Sequence, residues 1–266
     1  MIDPVSVMSV ETLAGDYAVP EDLARELRRA DDFIQMAVIS GSAAVAAAPD
    51  RGLQPEETGV FIGTAFGPLT TNFESLGSLI DDGEGQISPT LFSHSVYNAA
   101  AGYVARLLHI MGPALTVTNY GWPFLIALEE ARVAVATGRI GRALVISVET
   151  YSDLLADAYC RSYDTSEIPW QKYAVAWVLE PQETVGPLCR LHQVHLREAD
   201  SDPADFLTRQ EEQLTGPSRG NKLARHPMAY AETISQLVRE YDGPSNEQQS
   251  WALEATFGRA EIILSG

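Results

Sequence analysis

Residues 114–131, ALTVTNYGWPFLIALEEA, read as a strand, an abrupt turn and an amphipathic helix. Turns of this shape often hold a catalytic nucleophile at the apex. Here the apex is Tyr120-Gly121-Trp122-Pro123, with neither cysteine nor serine. Gly121 permits backbone angles closed to other residues, and Pro123 suits a first helical turn, where its missing N–H has no intrahelical partner to lose. Phe124, Leu128 and Ala131 follow at helical spacing. On these residues alone, an ordinary strand-to-helix connection fits equally well.

Other reactive residue types occur without the spacing that chemistry needs. His192 and His195 lie three apart on a strand, so they point to opposite faces and do not share one metal ion. Ser93-His94-Ser95 puts a hydroxyl beside an imidazole, but adjacent residues rarely bring base and nucleophile within ~3 Å. Cys160, in DAYCRSYD, has no elbow around it and reads as inert. No dinucleotide-binding, phosphate-loop, HExxH or paired-carboxylate motif is present. The residues therefore call for no cofactor and no metal.

The elements that would position the elbow alternate between strand and helix. Val5 to Val10 reads as a short edge strand, and Pro20-Glu21-Asp22 opens a helix. A second helix covers about 31–48 and ends at Pro49. GVFIGTAFG (59–67) is a strand buried on both faces. Residues 69–81 read as helix and 81–85 as loop. Ala99-Ala100-Ala101-Gly102 marks a helix packed closely on a neighbour. After the elbow come a helix to about Ala136, the strand in GRIGRALVISVET, and the strands YAVAWVLE (173–180) and LCRLHQVHL (188–196). The alternation argues for an α/β fold with a largely parallel sheet. Residues 198–225 are polar and read as a long loop or a partly ordered insertion. Pro227 to Tyr241 reads as a helix, and WALEATFGRAEIILS as two strands about a turn near Gly258.

Composition bounds the function class. The 266 residues are 45% hydrophobic, enough for a substantial core. Thirty-six acidic against 18 basic residues give a formal net charge of −18. Such a surface repels nucleic acid and anionic membranes, and acidic partners must dock elsewhere. Two cysteines, Cys160 and Cys189, form no disulfide framework, which suits a reducing compartment. The start lacks the pattern of a signal peptide, and no apolar run is long enough to span a bilayer. A soluble, cytoplasmic protein is expected.

The stretch ISPTLFSHSVYNAAAGYVARLLHIMGPALTVTNYGWP, beginning at Ile87, carries a resemblance. With Ser88-Pro89, Asn98, Ala101-Gly102, Gly112-Pro113 and the strand into the elbow, it resembles β-ketoacyl synthases of the thiolase superfamily. ATGRIGRALVISVET looks like that family's Gly-x-x-x-x-Ala-Leu-Val strand, ending here in Glu149. The resemblance covers 59–150 and extends towards 180. It implies a thiolase-like α/β fold with a complete N-terminal half, 1–184, and a shortened C-terminal half, 185–266, of one domain. In a ketosynthase the residue matching Gly121 is the acyl-accepting cysteine, beside a helix N-terminus that lowers its pKa and stabilises an oxyanion. The family's two catalytic histidines lie in C-terminal motifs that this chain lacks, and His226 is its one histidine after residue 195.

The resemblance thus implies a subunit like the chain length factor of type II polyketide systems, closest to those that form polyenes. Such a subunit pairs with a cysteine-bearing ketosynthase as a heterodimer and closes its acyl tunnel. Acyl carrier protein is then met indirectly, through that partner. Ala114, Leu115, Thr116, Val117, Thr118 and Asn119 would form the dimer strand. Leu91, Phe92, Tyr97, Tyr120, Trp122 and Phe124 would line the tunnel as a chain-length gate, or serve as plain packing. Two alternatives stay open: a small thiolase-fold enzyme that transfers or hydrolyses acyl groups with Ser93 or His94, and a homodimeric scaffold or binding protein.

Overall fold

The computed structural model describes residues 2–83, 88–163, 171–198, 213–216, 221–222, 229–243, 247–255 and 258–266. In chain order the elements are β1 (Val5–Ala14), α1 (Glu21–Leu27), α2 (Asp32–Ala47), β2 (Thr58–Thr64), α3 (Leu69–Asp82), α4 (Pro89–His94), α5 (Ala99–Leu107), β3 (Ala114–Thr118), α6 (Pro123–Ala136), β4 (Arg142–Glu149) and α7 (Asp153–Tyr163). They continue as β5 (Tyr173–Pro181), β6 (Cys189–Glu198), β7 (Gln213–Thr215), β8 (Asn221–Lys222), α8 (Ala229–Arg239), β9 (Gln249–Ala255) and β10 (Gly258–Ser265).

All ten strands join one sheet in the order β3-β2-β4-β5-β1-β6-β10-β9-β7-β8. Every residue of β4 is buried, because helices cover both faces of this part of the sheet. Alternate side chains feed two cores. Ala143 and Val145 share one core with Phe124 and Leu128 of α6 and with Tyr230 and Ile234 of α8. Leu144, Ile146 and Val148 meet Phe33, Ile34 and Ala37 of α2 and Val104 of α5. The result is three layers, helix–sheet–helix.

Local chemistry explains the helix ends. α1 starts after Pro20 with Glu21 and Asp22 in its first turn, and the Asp31 carboxylate caps α2 by accepting from Ile34 N–H at 3.0 Å. Away from the elbow, the guanidinium of buried Arg142 donates to Glu180 across β4 and β5 and to the Pro49 carbonyl.

Two expectations need correction. β1 is no edge strand: it lies between β5 and β6, and Val5 to Val10 are all buried. Nor is the sheet largely parallel. Among the described strands only β3 with β2 and β2 with β4 pair in parallel, and the other pairs are antiparallel. β5 pairs antiparallel with both β4 and β1, and the β9–β10 hairpin is too short for the crossover that parallel pairing requires. Within the polar segment 198–225, β7 and β8 are formed, in keeping with a partly ordered insertion, while 199–212, 217–220 and 223–225 lie outside the described residues, as do 84–85 and His226.

Candidate functional site

The parallel strands β3, β2 and β4 end together, and ligands of α/β sheets gather at such carboxyl ends. The elbow is the junction of β3 with α6. Asn119 directly follows the strand, and its side-chain oxygen accepts from Gly121 N–H at 2.6 Å. Trp122 caps α6 and Pro123 opens it. Gly121 does not belong to the described glycines with positive φ, so its backbone angles alone do not call for a glycine, contrary to the sequence expectation. The glycine that the elbow does require is Gly63 on β2. A Cβ there would lie 2.7 Å from the Phe124 amide nitrogen and closer still to the Pro123 carbonyl.

Glu149, at the end of β4, is 1% exposed and anchors the neighbouring turn. Its carboxylate accepts from the Thr64 hydroxyl at 3.0 Å, from Ala65 N–H and from Phe66 N–H at 3.1 Å. The turn then passes through Gly67 (φ 57°), where a Cβ would strike the Tyr97 ring. Phe66 and Tyr120 stack at a tilt, with centroids 6.0 Å apart. Burial, Tyr120 and Glu149 together raise the Tyr97 phenol above its ordinary range. Behind the elbow, Phe124 packs edge-on against Trp177 at 5.3 Å, and the Trp177 indole N–H donates to Ser235 of α8.

The expected gate residues divide into two sets. Phe92 and Tyr120 are 64% and 56% exposed, and Leu91 and Tyr97 are half-buried. Trp122 and Phe124 instead sit in the core beneath α6. The expected dimer strand, β3, forms one end of the sheet, with β2 as its one partner among the described residues. Ala114, Leu115 and Thr118 are exposed, and Thr116, Val117 and Asn119 half-buried.

A family model for the β-ketoacyl synthase N-terminal domain matches residues 15–158, more than half of the chain. The chain belongs to the β-ketoacyl synthase family. Solved structures extend the likeness across the whole length of this family member. The ishigamide ketosynthase/chain length factor matches with TM-score 0.73 at 15% identity, covering 99% of this chain and 100% of that one. A type II PKS acyl-carrier protein in complex with its ketosynthase bound to the hexaketide gives 0.74 at 14%, covering 100% and 99%. A ketosynthase in complex with its chain length factor from Xenorhabdus doucetiae gives 0.62 at 14%, covering 99% of each. At these identities the likeness is one of fold: mixed α/β and thiolase-like.

The remaining candidate residues of this ketosynthase-family chain have structural partners. His94 bonds the Tyr103 hydroxyl at 3.0 Å, while the Ser93 hydroxyl donates to the Thr90 carbonyl at 2.9 Å, so the two are not arranged as base and nucleophile. His192 sits at a bulge, where β10 skips from Gln193 to Leu191. The bulge breaks the strict alternation expected of the strand, so Leu191 and Val194 are both buried. His192 bonds Ser265 and Gln248, and His195 bonds Gln193. Cys160 is half-exposed on α7, and burial pushes the Cys189 thiol up to about 12. No helix among the described residues is long and apolar enough to cross a membrane. Sequence reasoning missed Tyr230, whose hydroxyl accepts from Phe124 N–H at 3.0 Å across 106 positions of sequence. No short-range pattern could have signalled a contact over that separation.

Proposed function

We propose that this protein is a non-catalytic, chain-length-factor-like subunit that pairs with an active, cysteine-bearing ketosynthase in type II polyketide biosynthesis. The observation that carries the reading is Gly121 at the apex of a ketosynthase elbow, where the family places its acyl-accepting cysteine. A glycine has no side chain to acylate. The open, partly apolar edge of β3, residues Ala114 to Asn119, supports pairing with a second ketosynthase fold. An acidic carrier protein is repelled by a chain of net charge −18 and docks on the partner. Residues 185–266 act as a reduced second half of the domain.

In this reading Leu91, Phe92, Tyr97 and Tyr120 form the wall that a polyene or other acyl chain meets, while Trp122 and Phe124 stiffen it from within. Each buried methylene gains about 0.8 kcal/mol, a factor of about four in retention, until a rigid wall makes the next unit too large. The exposed β3 edge also fits a homodimer, but that would bring two strongly acidic copies together.

Co-expression with a cysteine-bearing ketosynthase tests the reading. A heterodimer that elongates acyl chains, with the partner inactive or uncontrolled in length when alone, is expected. A stable homodimer, together with a partner that elongates equally well by itself, would sink the proposal.

A further inference from the structure

We infer that Tyr230 closes the elbow from within, taking up the Phe124 N–H that a nucleophile restored at position 121 would otherwise draw on. The inference rests on the family position of Gly121 but not on the partner or the tunnel. The first N–H groups of a helix lack intrahelical partners, and they can stabilise an anion only while they remain available to it. Pro123 at the first position of α6 has no N–H to offer. The next N–H, that of Phe124, is occupied by the Tyr230 hydroxyl at 3.0 Å. One residue before the cap, Gly121 N–H is occupied by the Asn119 side chain.

The Tyr230 contact is built into the core. Its side chain is fully buried in the core that also holds Phe124, Leu125, Trp177 and Ile234. Ser235, one turn further along α8, accepts from the Trp177 indole and fixes the helix against the same strand. Moving the hydroxyl aside would therefore disturb α8 and β5 together. Tyr230 is a positioning residue that holds an internal acceptor where an active elbow would need an open donor.

The test introduces a thiol and follows its acidity. Gly121→Cys is made in a Cys160→Ser background, which leaves buried Cys189 as the other thiol, and alkylation by iodoacetamide is followed against pH with peptide mapping. The introduced thiol, at a buried position, is expected to titrate at or above the ordinary value of about 8.5. Adding Tyr230→Phe keeps the ring but frees the Phe124 N–H. Its thiolate fraction at pH 7 should then rise about three- to tenfold, as expected for a charge at an unblocked helix N-terminus. A single variant that is already strongly acidic, or a double variant that alkylates no faster, overturns the inference. Native-state hydrogen exchange gives a second reading in the unaltered chain, where no introduced thiol can perturb folding. The Phe124 amide should be protected and should exchange faster in Tyr230→Phe, whereas unprotected exchange in the native chain overturns the inference. Neither readout involves a ketosynthase partner, so failure here and failure of co-expression are separate results.

Discussion

Glu149 shows how one side chain fixes the site's frame. It is buried at the end of β4, and its carboxylate accepts from a hydroxyl and two backbone N–H groups on the turn after β2. A buried charge is tolerable only when donors surround it, and each donor left unpaired costs about 1–3 kcal/mol. Glu149→Ala strands these donors at once, so a loss of at least about 3 kcal/mol is expected in urea unfolding. Glu149→Gln keeps an acceptor oxygen but turns an NH2 towards one of the donors, and should lose roughly half as much. Equal losses for the two variants would mean that packing, not acceptance, is the residue's contribution. The same substitution should disturb Tyr97 and Tyr120, since the turn anchored by Glu149 carries Phe66 against Tyr120 and Gly67 against the Tyr97 ring.

At the scale of elements, the elbow separates residues that the sequence placed in a single gate. Phe124 is fully buried against Trp177, so Phe124→Ala should cost about 3–5 kcal/mol of stability, read from the urea midpoint. Phe92, on α4, is 64% exposed, and Phe92→Ala should change stability by less than about 0.5 kcal/mol. If the proposed pairing holds, that variant lengthens the products of the complex; unchanged product lengths would remove Phe92 from the wall. The difference between these phenylalanines marks the limit of what the sequence made legible. Continuous apolar runs identified β2, β4 and β5, and proline or acidic starts identified α1 and α6, because those signals are local. The central position of β1 depends on a pairing with β6 that the N-terminal residues do not encode by themselves. The burial of Phe124, likewise, depends on Trp177 and Tyr230, far along the chain. Gly121 at the apex was legible in the sequence, whereas Asn119 and Tyr230, which accept from the elbow's N–H groups, required the folded geometry.

For the whole molecule, local and global electrostatics oppose each other as pH falls. A net charge of −18 produces self-repulsion, and protonating carboxylates relieves it, which favours folding. His192 pulls the other way. Burial, followed by the positive charges of Arg190 and Arg132, lowers its pKa in the fold. The unfolded chain, with an ordinary histidine near about 6.5, then takes up the proton more readily, so the stability His192 contributes is present above that value and lost as pH falls below it. The residue joins β6 to β10 through Ser265 and reaches Gln248 beside β9, so the loss falls on the C-terminal strands. Thermal unfolding between pH 7.5 and 5.5 should therefore fall more steeply, or rise less, in the native chain than in His192→Gln, which cannot titrate. Parallel curves would assign the pH response to net charge alone. Raising salt to ~0.15 M, where the Debye length is about 8 Å, separates the two contributions further. Screening should raise the unfolding temperature of both proteins at pH 7.5, and it should leave most of their difference at pH 5.5, because burial rather than distant charge is the larger cause of the His192 shift.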